Sequence, residues 1–180
     1  MRGVRPSAPT PRGQHFLRPE FARRFVARAG VGADDLVFDL GAGTGALTLL
    51  LAARAGQVVA IERDPKLARR LARRVESLAN VSVHARDLRA MHFPHRPFRV
   101  VANLPFAGAN HMIRRLLEPD VPLLGADLIV ELGAARGWVE RSSRCRIAMR
   151  LPPSAFVPAP RCDAAVLVIR PAQATRSGWV

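Results

Sequence analysis

Tyrosine is absent from the 180 residues, and aromatic residues of all kinds make up only 6%. Each Phe and Trp is therefore worth asking about. Lysine occurs once, as Lys66; arginine supplies the rest of the positive charge. Cysteine occurs twice, at Cys145 and Cys162, far apart and in no metal-type spacing. That excludes a disulfide framework and a cysteine zinc site, and it points to a reducing compartment, the cytoplasm. No apolar run approaches the ~20 residues needed to cross a bilayer, so no membrane partner is expected. The opening "MRGVRPSAPTPRG" lacks a hydrophobic centre and does not read as a secretory signal. Acidic residues number 14 against 28 basic ones, a formal net charge of +14. A genome rich in arginine codons explains arginine over lysine but not the shortage of acids. Such an excess predicts a polyanionic partner, nucleic acid before membrane.

What is present is an ordinary core. The apolar fraction is 49%, and the length suits one domain. Residues 1–12 read as a disordered basic arm and 172–180 as a loose tail. Between them, "PEFARRFVARA" has helical spacing and ends at Gly30. "LVFDLGAGTG" is a buried strand running into a glycine corner. "ALTLLLAARA" reads as a helix, "QVVAIE" as a strand. Pro65 opens a helix with Leu67, Leu71, Val75 and Leu78 as its apolar stripe. "VSVHA" and "FRVVAN" are strands, "HMIRRLLEP" a helix, "ADLIVEL" a strand. "RIAMRL" and "AAVLVIR" form a closing antiparallel pair around "PPSAFVPAPRCD". Strands alternating with helices imply an α/β fold: a mostly parallel, seven-stranded, Rossmann-like sheet with an antiparallel edge hairpin.

The glycine corner is the first chemical signal. In wound sheets, ligands bind at the carboxyl ends of strands near the topological switch point. Asp39-Leu40-Gly41-Ala42-Gly43-Thr44-Gly45 sits at such an end, and Glu62 closes the next strand, where a carboxylate can accept both hydroxyls of a ribose. A plain strand–helix turn without ligand is one alternative. A dinucleotide site is another, but its third glycine would come one residue later. The D-x-G-x-G-x-G pattern fits S-adenosylmethionine better, since that cofactor has no pyrophosphate to seat on the helix. Asp87, in "ARDL", is placed to accept from an adenine amino group; otherwise it is a turn cap.

The fourth strand ends in "NLPF". An exocyclic amine on a nucleobase is a poor nucleophile, because its lone pair is delocalised into the ring. Two carbonyl acceptors, the Asn103 side chain and the Leu104 backbone, would favour a pyramidal nitrogen. Pro105 has no N–H and fixes the corner. Phe106 offers a flat face for a base taken out of its stack. The alternative is a strand-ending turn with a core Phe. A charged methyl donor needs positioning more than a strong base, so His84, His92, His95 and His111 read as surface or packing residues.

Together these motifs resemble the rRNA adenine N6-methyltransferases of the Erm and KsgA type, over Gly13 to Pro171. "GQHFLRP" is similar to the family's opening G-Q-N-F-L, "FDLGAGTGALT" to its cofactor loop, "IERD" to its ribose-binding strand end. "NLPF" is similar to its catalytic N-L-P-[YF], and "PPSAFVPAPRCDAAVLVIRP" to its F-x-P-x-P-x-V-D-S segment. The resemblance implies a class I methyltransferase fold with S-adenosylmethionine bound by His15, Leu17, Gly41, Glu62, Asp87 and Asn103. It implies a target adenine stacked on Phe106, with Phe156 closing the other side, and catalysis at Asn103, Leu104, Pro105 and Phe106. It implies no metal.

The arginine content and the Asp39-Leu40-Gly41 form look more like Erm, which implies a 23S rRNA adenine and macrolide-type resistance. KsgA-like methylation of small-subunit rRNA and a noncatalytic RNA-binding remnant are the alternatives. Three departures stand out: His15 where the motif has Asn, "VEL" for Q-[KR]-E, and no C-terminal helical domain. The catalytic domain, expected to be a monomer, must then dock RNA itself. Candidates are the basic arm and Arg69, Arg70, Arg73, Arg74, Arg114, Arg115, Arg141, Arg144 and Arg146.

Overall fold

Every residue of "LVFDL" is buried, which a strand achieves only where both faces of its sheet are covered. The computed structural model describes residues 15–171; the expected arm (1–12) and tail (172–180) lie outside the described residues. In chain order the elements are β1 (Phe16–Leu17), α1 (Pro19–Arg28), β2 (Leu36–Leu40), α2 (Ala46–Ala52), β3 (Gln57–Glu62), α3 (Pro65–Arg74), β4 (Val81–Ala85), β5 (Phe98–Asn103), α4 (Phe106–Leu116), β6 (Leu123–Glu131), α5 (Leu132–Arg141), β7 (Cys145–Leu151), β8 (Phe156–Val157) and β9 (Ala164–Ile169).

Seven strands form one sheet in the order β4-β3-β2-β5-β6-β9-β7. The pairs β3–β4, β2–β3, β2–β5 and β5–β6 are parallel. β9 runs antiparallel to both of its neighbours, β6 and β7. The expected closing pair is therefore present, with the last strand inserted between its predecessors rather than added outside them. From β2 the chain winds outward to β3 and β4, then returns to the other side of β2 for β5 and β6. The direction reverses between β2 and β5, so the carboxyl ends of these two strands flank the switch point.

One face of the sheet packs Phe38, Phe98, Met112, Ile113 and Leu128 beneath α4. The other packs Phe25, Leu47, Leu51, Ile129 and Phe156 beneath α1 and α2. In α3 the Asp64 carboxylate accepts from the Lys66 N–H at 2.8 Å and Pro65 takes the first turn. Leu71 is fully buried, while Arg69, Arg70, Arg73 and Arg74 are exposed.

The structure departs from the sequence reading in three places. α5 was not anticipated. The two-residue strands β1 and β8 pair antiparallel in a small separate sheet. And α4 begins at Phe106, five residues before the expected "HMIRRLLEP".

Candidate active site

The switch point opens into a cleft of about 310 Å³ that both motifs line. Its floor is the glycine corner. Gly41 donates its N–H to the Ile61 carbonyl at 2.8 Å, and its φ of +78 lies where a side chain is strained. A Cβ on Gly43 would stand 3.2 Å from Cε1 of Phe16, so that side of the loop has no room for one.

Glu62 ends β3 and is 5% exposed. One carboxylate oxygen accepts from the Gly43 N–H and the other from the Asp64 N–H, both at 2.8 Å. These bonds fix the carboxylate against the loop. Each oxygen keeps a further acceptor site for a ligand. Asp39, the penultimate residue of β2, also lines the cleft and is 1% exposed. It accepts from the Thr48 hydroxyl at 2.6 Å. Burial pushes its carboxyl up to about 7, against the pull of the Thr48 bond and with a push from the Glu62 charge. The sequence reading took Asp39 as the first position of the D-x-G-x-G-x-G pattern but gave it no role of its own. An acid inside an otherwise apolar buried strand is the signal that could have found it.

Asp87 lines the other end of the cleft, with Arg89 beside it. Its carboxylate caps a short 3-10 turn over Leu88–Ala90, accepting from the Arg89 N–H at 2.9 Å. It also pairs with the Arg89 guanidinium at 2.8 Å. Hydrogen bonds from Arg89 hold the carboxyl well below the usual carboxylate range. Both readings of Asp87 thus meet at one residue: it is a cap, and it faces the cleft.

The "NLPF" corner forms the opposite wall. The Leu104 N–H donates to the Ile129 carbonyl at 3.1 Å, and Leu104 itself is buried. Pro105 precedes the first turn of α4. Phe106 is half-buried and shares the cleft with Gly41. Asn103 donates from Nδ2 to the His15 carbonyl at 2.8 Å. That bond uses one of its two N–H donors and leaves Oδ1 as acceptor for a substrate.

His15, Leu17, Gly41, Glu62, Asp87, Asn103, Leu104, Pro105 and Phe106 therefore converge on one cavity. Phe156 does not. It is 1% exposed, within the core beneath α1 and α2 and paired in register with Leu17, so it cannot close the pocket as the resemblance implied. Four of the arginines offered for RNA also donate to backbone carbonyls: the exposed Arg74 and Arg141, to Thr44 and Gly137, and the half-buried Arg115 and Arg144. Arg115 donates to the Leu88 and Met91 carbonyls and lies 4.9 Å over the Phe93 ring. Arg144 donates to the Leu117 and Arg170 carbonyls. Among the described residues, no group of three His, Cys, Asp or Glu side chains could hold a metal ion. Nor is any helix among them long and apolar enough to cross a membrane.

The strand order, the reversed last strand and a glycine cleft at the switch point define a class I methyltransferase fold. The model of the ribosomal RNA adenine dimethylases matches residues 8–177, and the chain belongs to that family. It is 36% identical over 175 residues to the ribosomal RNA small subunit methyltransferase A of Rubrobacter xylanophilus, covering 86% of this chain and 66% of the relative. It is 33% identical over 139 residues to an rRNA adenine N-6-methyltransferase of Bacillus licheniformis, covering 76% and 48%. The 23S rRNA methyltransferase ErmE superposes with a TM-score of 0.80 at 26% identity, covering 88% of this chain and 70% of that one. A dimethyladenosine transferase from Plasmodium falciparum shares the fold, with a TM-score of 0.78 at 22% identity over 88% and 64%. The chain spans 66% and 48% of the lengths of the two sequence relatives named here.

Proposed function

We infer that the chain methylates N6 of an adenine in ribosomal RNA, using S-adenosylmethionine. The observation that carries this reading is the single cleft joining the Gly41–Gly43 loop and Glu62 to Asn103 and Phe106. A buried Asp39 carboxyl, with another carboxylate as its charged neighbour, suits a cationic ligand. The glycine loop admits a ligand close to the backbone, and Glu62 keeps acceptor capacity for ribose hydroxyls. When bound, S-adenosylmethionine supplies a methyl group already activated by positive charge.

The protein's own part is positioning. Asn103 Oδ1 and the Leu104 carbonyl accept the two amine hydrogens and favour a pyramidal nitrogen. Phe106 carries the unstacked base. Asp87 accepts from the adenine of the cofactor. The exposed arginines of α3 neutralise RNA phosphates. The 23S reading, with macrolide-type resistance as its consequence, is supported by the likeness to ErmE. Small-subunit rRNA is the second reading, supported by the 36% identity to a small-subunit enzyme.

Labelled cofactor with 23S rRNA and with 30S particles, followed by mapping of the modified base, tests both. Label on an adenine N6 in one substrate is the expected result. Cofactor binding without transfer to either RNA would remove the reading. Asn103→Ala should abolish transfer while largely sparing the fold.

A further inference from the structure

β1 and β8 are short, but their register brings the catalytic corner to a distant turn. Phe16 faces Val157 and Leu17 faces Phe156 in an antiparallel pair. The Arg18 N–H extends the contact to the Ala155 carbonyl at 2.8 Å. One step outward, His15 lies beside Pro158. Its ring Nδ1 is 2.9 Å from the Pro158 carbonyl oxygen. A carbonyl cannot donate, so this contact requires the proton to sit on Nδ1. At its main chain, His15 accepts from Asn103 Nδ2 at 2.8 Å. Its ring centroid lies 5.9 Å from that of Phe106, with 34° between the planes. One residue therefore touches two distant segments, the turn at Pro158 and the "NLPF" corner, and its two neighbours in that corner are the groups assigned to the target base.

We propose that His15 is a positioning residue of the methyl-acceptor corner. Its carbonyl sets the orientation of the Asn103 carboxamide, and its imidazole, tethered to Pro158, fixes where that carbonyl and the Phe106 ring stand. This rests on the reading of Asn103 and Phe106 given above. The main-chain bond has a further consequence. A carboxamide presents a donor to the His15 carbonyl, whereas a carboxylate would present a second acceptor. The His15 carbonyl thus selects Asn over Asp at position 103. The tether matters because a backbone carbonyl next to the two-residue β1 has little else to hold it.

The tether and the ring can be separated chemically. In Asn the Nδ2 donor lies as many bonds from Cα as Nδ1 of His, so His15→Asn keeps a donor for Pro158 and loses the ring. His15→Phe keeps a ring and loses the donor. Methyl transfer to rRNA by the full chain should fall in the order wild type, His15→Asn, His15→Phe. A loss of the Pro158 bond is worth roughly 10-fold, and a resulting misplacement of the corner can take the total towards roughly 100-fold. The loss should appear in kcat at saturating S-adenosylmethionine; a loss confined to KM for that cofactor would assign His15 to the cofactor contact implied by the resemblance and overturn the proposal.

A second readout does not depend on activity. Nitrogen-15 NMR of the histidine-labelled wild-type protein should show one of the five histidines locked as the Nδ1–H tautomer, assigned by its disappearance in His15→Asn. An Nε2–H tautomer at His15, or His15→Phe turning over as fast as His15→Asn, would overturn the proposal. Calorimetry with S-adenosylhomocysteine distinguishes the two levels. If wild type fails to bind it and transfers no methyl group, the functional reading has failed, and the tautomer result still decides the geometry.

Discussion

A Cβ placed on Gly41 would stand 3.2 Å from Cδ of Pro105. The glycine loop and the "NLPF" corner thus approach closely enough across the switch point that a side chain at position 41 would press on Pro105.

Gly41→Ala should damage both. The φ of +78 adds strain of roughly 1–2 kcal/mol for a residue with a side chain, and the new methyl group presses on Pro105. Thermal melts should show a drop of a few degrees, and calorimetry should show loss of S-adenosylhomocysteine binding. A variant that binds as wild type would mean that the loop does not approach the ligand.

The Arg89 guanidinium holds the Asp87 carboxylate. The guanidinium occupies both carboxylate oxygens, Nε at 3.2 Å and Nη2 at 2.8 Å. The pair is exposed and therefore screened by salt. If Asp87 receives an adenine amino group, Arg89→Leu should tighten binding of adenosine and S-adenosylhomocysteine, and Asp87→Ala should weaken it. The gain from Arg89→Leu should shrink as ionic strength rises. Tighter binding by Asp87→Ala would instead confine Asp87 to its role as a turn cap.

A buried carboxyl and a half-buried one, Asp39 and Asp127, set a pH trend. Burial pushes Asp39 up to about 7 and Asp127 up to about 6, the latter opposed by Arg146 and Arg99. Between the ordinary value of 3.8 and these values, the folded protein holds protons that the unfolded chain has released. The stabilisation from each is complete below 3.8 and is lost as pH rises through about 6 for Asp127 and about 7 for Asp39. Asp87 has the opposite sign, but its range lies below this window. Melting temperature should therefore fall between about pH 4 and pH 7 from these terms. Asp39→Asn should flatten the slope all the way up to about pH 7, and Asp127→Asn only the part below about pH 6. Slopes unchanged in both variants would show that neither group keeps its proton in the fold.

The parallel strands and the two corners were legible because each is a short local pattern: a buried apolar run, a glycine series, a Pro after Asn-Leu. What stayed hidden is non-local or weakly patterned. α5 reads "LGAARGWVER", with Gly133 and Gly137 inside it and Ala135 as its one buried residue, so propensity argues against it. Tertiary contact helps to hold it, including the Trp138 indole N–H on the Asn110 side-chain oxygen at 2.8 Å. α4 begins early because Pro105 supplies its N-terminus, ahead of the apolar stripe. β1 and β8 are too short to show a period, and their partners lie far away in sequence. The Asn103–His15 bond and the Asp87–Arg89 pair depend on side-chain placement that spacing alone does not give.

Phe106 and Phe156 lie in neighbouring motifs of the resemblance but in different physical surroundings, and alanine at each should separate activity from stability. Phe156 is packed on all sides beneath α1 and α2, so Phe156→Ala leaves a cavity and should cost about 3–5 kcal/mol. Phe106 is half-buried at the cleft, and its truncation leaves no closed void. Phe106→Ala should melt close to wild type while losing base stacking, worth about 1–3 kcal/mol per base, which lowers transfer to RNA and spares S-adenosylhomocysteine affinity. Denaturant titration and methyl-transfer assays on the two variants check this together. Equal stability losses, or full activity in Phe106→Ala, would mean that the ring at the cleft serves packing rather than the target base.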